Sequence, residues 1–315
     1  MAALTAGSFA AEAARLAGGT LQQPFAIAVS GGADSLALMA LAADSFGAHA
    51  QVLSVDHGLR AESAAECAMV ASLAAGLGLR HETLTPSLPP GGDMQARARA
   101  ARYAAMADWC LRNGTALLMT AHHADDQAET LLLRLARGSG LGGLSGVRAA
   151  GAMDGIMLLR PLLSWRRAEL AAIVAARGWT PVDDPSNRDP RFDRTQARRL
   201  LAETPWLNPD RLAAGAQHLA EAEAALTWAA NRAFATRHRW QPPALLLDPE
   251  GLPAELRRRL LADGLRAFGH EADGPALARL LARLEAGSSG TLGPVLASRT
   301  AGAWLLRPAP KRHRT

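Results

Sequence analysis

Between the apolar run Phe25–Val29 and a second apolar stretch that begins at Leu36 stand six residues, Ser30-Gly31-Gly32-Ala33-Asp34-Ser35, whose types suit a polyphosphate. Gly31 and Gly32 lack a Cβ, so the backbone can turn sharply and bring its N–H groups onto phosphate oxygens. The free amides of a helix starting there add positive potential. Ser30 and Ser35 supply hydroxyl donors. A carboxylate repels phosphate, so Asp34 belongs in such a cradle if it holds a Mg²⁺ that bridges phosphate oxygens. The loop therefore points to ATP and magnesium. It is neither a Gly-Lys-Ser/Thr phosphate loop nor a Gly-x-Gly-x-x-Gly dinucleotide turn. A Gly-Gly turn with a serine cap is the plainer account, and it leaves the full six-residue pattern between strand and helix unexplained.

A second chemical group follows a later apolar segment: His122, His123, Asp125, Asp126 and Glu129. Asp126 and Glu129 are spaced i,i+3, which places both carboxylates on one helical face near its positive end. Beside a nucleotide they make sense as receivers of cations, either a magnesium ion or a substrate ammonium. A plain cap suits Asp125 alone better than the pair. Two adjacent histidines at such a rim favour a role for at least one of them in phosphate contact or proton handling. Arg99 and Arg102 share a face, with Arg97 off it, and Arg194 and Arg198 form an i,i+4 pair. Solvated helix faces explain such rows ordinarily; clamping nucleotide or RNA phosphates explains them chemically.

These residues need a scaffold that brings them to one rim. The first half alternates strand-like and helix-like segments, the signature of an α/β, doubly wound, parallel, Rossmann-like sheet. The pattern predicts strands over Phe25–Val29, Gln51–Val55, Arg80–Thr85, Ala116–Thr120 and Gly155–Pro161, with helices over Ser35–Phe46, Glu62–Leu77, Met94–Arg112 and Asp125–Arg137. Ligands bind at the carboxyl ends of such strands, where Ser30, Asp56–Arg60 and Thr120–Asp126 all fall. Gly138–Gly146 is too glycine-rich for regular structure and is expected to be a mobile loop, acting as linker or lid. A helix from Ser164 toward Gly178 leads to Asp183–Asn187 and the basic run Arg188–Arg199. The texture then changes to long Ala-, Leu- and Arg-rich helices over Pro209–His238, Pro253–Phe268 and Gly274–Ala286. A short strand pair within Thr291–Arg307 and a basic tail close the chain. The expected division is a catalytic domain over 1–207 and a mainly helical domain over 208–315.

At 315 residues the chain has sequence for two domains. No run approaches the ~18 apolar residues of a membrane span, and the start lacks a signal-peptide layout, so a cytoplasmic protein away from membranes is expected. Cys67 and Cys110 are the only cysteines, which speaks against zinc ribbons and paired redox thiols. The net charge is +5, and Lys311 is the only lysine. Arginine's fork suits phosphate, so an RNA partner is permitted by charge without being required by it.

Ser30–Ser35 resembles the PP-loop of ATP pyrophosphatases, enzymes that split ATP between its α and β phosphates. With Val55–Arg60, Ala100-Ala-Arg-Tyr103, Thr120–Gly140, Arg160-Pro-Leu-Leu163 and Asp184-Pro-Ser-Asn187, the chain resembles the tRNA(Ile)-lysidine synthase family over residues 25 to about 200. The resemblance implies that ATP adenylates the C2 oxygen of the wobble cytidine in the CAU-anticodon isoleucine tRNA. Free L-lysine then displaces AMP, and the tRNA reads AUA instead of AUG. It implies ATP contacts from Ser30, Gly31, Gly32, Ala33, Asp34, Ser35 and His122, and magnesium on Asp34. It also implies catalytic roles for Asp34, Arg102, Asp126 and Arg194, with lysine received by Asp126 and Glu129. Thr195 departs from the Asn that relatives carry after the arginine. The short form of the family, without a further carboxyl-terminal domain, is the expected type, with a homodimer left open. A tRNA thiolase, a synthetase of NAD or GMP type, and an RNA-binding protein without catalysis are the rival readings. For the first, Cys67 and Cys110 form no Cys-x-x-Cys and do not obviously provide the cysteine set it needs; the second has no use for the Arg-rich extension, and the third leaves Asp34, Asp126 and Glu129 idle.

Overall fold

The computed structural model describes residues 3–56, 58, 62–87, 91, 94–183 and 193–310, without the side chain of Gln95. His57, Leu59 and Arg60, the Asp184–Asn187 motif, Arg188, Arg191 and the tail from Lys311 lie outside the described residues. The chain divides into two compact units, Met1–Ala220 and Glu221–Thr315. The division falls inside a long helix, where the sequence reading placed it at residue 207.

The first unit runs α1 (Ala6–Ala17), β1 (Phe25–Ala28), α2 (Ala33–Phe46), β2 (Ala50–Val55), α3 (Ser63–Gly76), β3 (Arg80–Leu84), α4 (Met94–Arg112), β4 (Leu117–Met119) and α5 (Ala124–Ala136). It continues with α6 (Leu141–Leu144), β5 (Ala150–Met153), β6 (Ile156–Leu159), α7 (Arg167–Ala176), α8 (Asp193–Glu203) and the start of α9 (Pro209–Arg237). Its sheet has the order β3-β2-β1-β4-β6-β5. The first five strands of that order are parallel, and β5 pairs antiparallel with β6 at one edge. Central strands buried on both faces read as continuous apolar runs, as Phe25-Ala-Ile-Ala and Leu117-Leu-Met do. Helix α2 is apolar on nearly every side and is buried from Ser35 to Ala42. One core face gathers Ile27, Leu36, Met39, Met119, Leu159 and Leu170. The other gathers Leu53, Met106, Trp109, Cys110 and Leu118. Each large apolar side chain so buried contributes about 1.5–3 kcal/mol, which makes the sheet a stiff floor for whatever its loops carry.

The Gly138–Gly146 segment differs from the loop expected of it. It contains α6 and is tied to α5: Gln127 donates to Val147 O (2.8 Å) and accepts from Val147 N–H (2.6 Å), copying a peptide pair. Arg134 donates to the carbonyls of Gly143 and Gly146. Gly146 has φ +66°, and a Cβ there would lie 2.3 Å from Gln127 Oε1.

The second unit holds the end of α9, then β7 (His238–Gln241), β8 (Ala244–Leu247), α10 (Ala254–Arg266), α11 (Gly274–Glu285), β9 (Gly290–Leu292), β10 (Val295–Thr300) and β11 (Ala303–Pro308). These strands form a five-stranded antiparallel sheet, β7-β8-β11-β10-β9, which corrects the expectation of a mainly helical region ending in a strand pair. All four residues of β7 are exposed. It therefore has no alternation to read and exists through pairing, from His238↔Leu247 to Gln241↔Ala244. Leu245, Leu247, Leu306 and Trp304 of the sheet meet Leu260, Leu265, Leu280 and Leu284 of α10 and α11 in a separate core.

Candidate active site

The chain leaves β1 to form β2 and β3 on one side, then places β4 and β6 on the other, so β1 and β4 flank a topological switch point. A cavity of about 880 Å³ opens at the carboxyl ends of these strands. Ser30, Gly32, Ala33, Asp34 and Ser35 form part of its wall. Arg102 from α4, His122 and Asp126 beyond β4, and Arg194 and Arg198 from α8 also stand on it. Gly31 and Glu129 are not on it.

The loop that follows β1 is built to expose its amides. Helix α2 begins at once, and no side chain caps its amino end, which leaves donors and positive potential toward the cavity. Gly31 has φ +86°, and a Cβ there would lie 3.0 Å from Val182 and 3.2 Å from Met69, so the residue is required by conformation and space together. Gly32 differs: its Cβ would meet only Ser30 Oγ, at 3.9 Å, and the free space is that of the cavity. Ser35 holds the loop's shape, donating from Oγ to Gly32 O (2.9 Å) and accepting from Ser30 N–H (3.1 Å).

Asp34 sits in the first turn of α2 and presents two unlike oxygens. Its Oδ2 is 3.4 Å from His123 Nε2. Its Oδ1 is buried without a hydrogen-bond partner, with Arg167 Nε at 3.9 Å. A desolvated carboxylate oxygen without a donor is costly unless a cation completes it, and one carboxylate beside a phosphate cradle suits magnesium. Among the described residues no group of three His, Cys, Asp or Glu side chains could hold a metal by itself, so the oxygens of a nucleotide would have to complete such a shell.

The two adjacent histidines face different surroundings. His122 lines the cavity, with Nδ1 2.8 Å from Thr120 Oγ1. Burial, aided by the charges of Arg160, Arg99 and Arg194 and opposed by Asp126, pulls its pKa down to about 3, so it is neutral at physiological pH. His123 is 2% exposed and caps α5. Burial pushes its pKa down, but the contact with Asp34 and the charges of Asp126, Asp34 and Asp125 outweigh burial and raise it.

Asp126 and Glu129, expected as a pair, are separated by the structure. Glu129 lies one turn deeper in α5, 1% exposed, where Arg198 donates to it at 2.8 and 3.4 Å and Arg194 stands 4.0 Å away. Asp126 stays on the cavity wall, with Oδ2 accepting from His123 N–H at 3.1 Å. Asp125 does not cap α5, whose cap is His123. It takes two hydrogen bonds from Arg166 (2.9 and 3.1 Å) and one from Arg167 N–H (2.8 Å), and these hold its pKa below the usual range although burial works against them. Arg166 also reaches Asp210 at the start of α9.

The cavity also has a basic corner. Arg99 and Arg102 stack on the ring of Tyr103, 5.0 and 5.5 Å from its centroid. Burial, with Arg99 adding to it and Tyr103 opposing, lowers the pKa of the Arg102 guanidinium. Sequence reading missed Tyr103, Arg166 and Arg167 as site residues. Arg166 and Arg167 carried a signal, since they follow β6 at the same sheet end as the loop. Cys67 is on the cavity wall, but burial and the charge of Asp56 raise its thiol, the reverse of what a reactive thiolate needs.

The PP-loop domain family matches residues 6–204. A tRNA(Ile)-lysidine synthase of Novosphingobium aromaticivorans is 49% identical over 299 residues, covering 92% of this chain and 90% of that protein. One of Zymomonas mobilis is 43% identical over 293 residues, covering 91% and 88%. Among solved structures, a U34-tRNA thiolase of Methanococcus maripaludis with its 4Fe–4S cluster superposes with a TM-score of 0.55 at 14% identity, over 68% of this chain and 78% of that one. At that identity the likeness is one of fold.

Proposed function

This chain belongs to the tRNA(Ile)-lysidine synthases of the PP-loop family, and we propose that the cavity at the carboxyl ends of the first unit's strands carries both halves of their ATP-dependent ligation. The observation that supports this most is the presence of Asp34, Arg102, His122, Asp126 and Arg194 in one cavity with the uncapped start of α2. The triphosphate lies on the amides of Gly32 and Ala33. Asp34 Oδ1, buried and lacking a hydrogen-bond partner, fits a magnesium ion. A magnesium ion held there would supply positive charge beside the phosphates.

The C2 oxygen of the wobble cytidine attacks the α-phosphorus of ATP, and the bond to pyrophosphate breaks. Arg102 and Arg194 stabilise the charge that collects on the phosphates and the activated base. His122, neutral, contributes a hydrogen bond and adds no charge to the basic corner. Asp126 then receives the ε-ammonium of free L-lysine and takes one proton from it, leaving a neutral amine. The amine attacks C2, and the C2–O bond breaks to release AMP. Glu129, expected beside Asp126, takes part only by loosening its bond to Arg198. Residues 208–315 are the proposed contact region for the body of the tRNA; Trp228, 63% exposed, carries Arg232 stacked at 5.1 Å.

Incorporation of labelled lysine into an isoleucine tRNA transcript with a CAU anticodon tests the reading, with wild type and Asp34→Ala compared in ATP and Mg²⁺. Label that requires ATP and is lost in the variant is expected. Pyrophosphate release on some other acceptor, with no lysine transferred, would overturn it.

A further inference from the structure

His123 stands within 3.4, 3.6 and 3.5 Å of Asp34, Asp125 and Asp126, yet it is absent from the cavity wall and 2% exposed. It therefore cannot meet a substrate. Its ring is fixed from two sides. Nδ1 accepts the Asp126 N–H at 3.4 Å as the cap of α5, while its own backbone N–H donates to Asp126 Oδ2. With Nδ1 turned to a donor, Nε2 carries the hydrogen. That nitrogen stands 3.4 Å from Asp34 Oδ2 and 3.5 Å from Asp126 Oδ2, so one edge of the imidazole lies between carboxylates on two different helices. Asp34 is left with Oδ1 as its unbonded oxygen, next to the phosphate cradle.

We propose that His123 is a positioning residue that ties the carboxylate of the ATP loop to the carboxylate proposed to receive lysine, setting both from one imidazole. The inference rests on the roles proposed for Asp34 and Asp126. It assigns His123 a purpose distinct from that of His122: His122 faces the reactants, and His123 sets the distance between the two acids that face them. Outer residues that orient metal-holding or substrate-holding carboxylates typically change affinity by about 10–100-fold when replaced, and here one replacement would act on two ligands.

The two ring nitrogens can be replaced separately. Asn at this position puts an acceptor near the place of Nδ1 and retains the helix cap, but has no donor at Nε2. Gln puts an amide N–H near the place of Nε2 and gives up the cap. For His123→Asn we expect two parallel changes of about tenfold or more. One is a rise in the Mg²⁺ concentration that supports binding of a non-hydrolysable ATP analogue, measured by calorimetry without turnover. The other is a rise in the KM for lysine, with kcat changing less. His123→Gln should restore both toward wild type while melting at a lower temperature. If the Asn variant leaves both quantities unchanged, if only one of them moves, or if Asn and Gln lose affinity equally, His123 does not tie the two sites. If the wild type itself binds the analogue without need of Mg²⁺, the reading of Asp34 fails and this inference with it.

Discussion

Replacing Arg198 with Met would remove a charge from Glu129 while keeping most of the apolar stem. Glu129 is 1% exposed, and its short bonds come from Arg198. Breaking a buried pair from one side typically costs about 3–5 kcal/mol, because the remaining charge is stranded. Two features lower the figure here. The Arg198 side chain is 36% exposed, and Arg194 stands 4.0 Å from the same carboxylate. A loss of about 2–3 kcal/mol is therefore expected, which for a unit of this size lowers Tm by roughly 5–10 °C. The assay is thermal unfolding near pH 7.5 by near-ultraviolet circular dichroism, without nucleotide, on wild type, Arg198→Met, Glu129→Gln and the double variant. The double variant should recover most of the loss, since no ion is then stranded. Saturating lysine should raise Tm more in Arg198→Met than in wild type, if an ammonium can take the vacated place beside Glu129. An Arg198→Met protein that melts within 1 °C or so of wild type would refute the claim that this pair is buried and mutually dependent.

Gly31→Ala should lower Tm by several degrees and weaken ATP-analogue binding at least tenfold by calorimetry. A left-handed alanine costs about 1–2 kcal/mol, and its methyl would press on Val182 and Met69. Stability should also fall on the acid side. His122 is held at about 3 against an ordinary 6.5, so between those pH values the unfolded chain takes a proton that the folded chain refuses. Stability is then lost as pH drops, at up to about 1.4 kcal/mol per pH unit. Urea unfolding at several pH values should show this slope, and His122→Gln should flatten it. Glu255 adds a second fall at lower pH: its bond to Arg258, with Arg259 assisting against burial, holds it at about 2, so its contribution is full above 4.5 and gone below 2.

The part of the fold that was legible in the sequence is the part that repeats a local rule. Phe25–Val29 followed by Ser-Gly-Gly announces a buried parallel strand turning into a helix, and Leu117-Leu-Met before His122 announces another. Helix α1 was missed although its start carries a signal, the reciprocal bonds between Thr5 and Ser8. Strands β5 and β7 carried little. Ala150-Gly-Ala-Met has weak β preference and His238-Arg-Trp-Gln is exposed throughout, so both are set by the neighbour they pair with. In the site, the residue types were legible and their pairing was not. The i,i+3 spacing places Asp126 and Glu129 on one face, but it also offsets them by about 4.5 Å along the helix. That is enough to leave one in the cavity and the other under α8. Arg198, 69 residues away, decides the difference, and no local pattern reports a contact at that separation.

The amide of Gln127, bonded to both sides of the Val147 peptide link, occupies the space that any β-carbon at position 146 would need. Neither residue can drift alone. A larger residue at 146 strands the glutamine, and a shorter one at 127 opens a hole beside a glycine that its φ of +66° still requires. In inheritance the two positions form a single character, and a lineage can leave that state only by passing through a less stable intermediate or by changing both codons together. Helix α5, whose start sets His123 and Asp126, is thus fastened on its far side by a pair of residues whose histories are bound to one another.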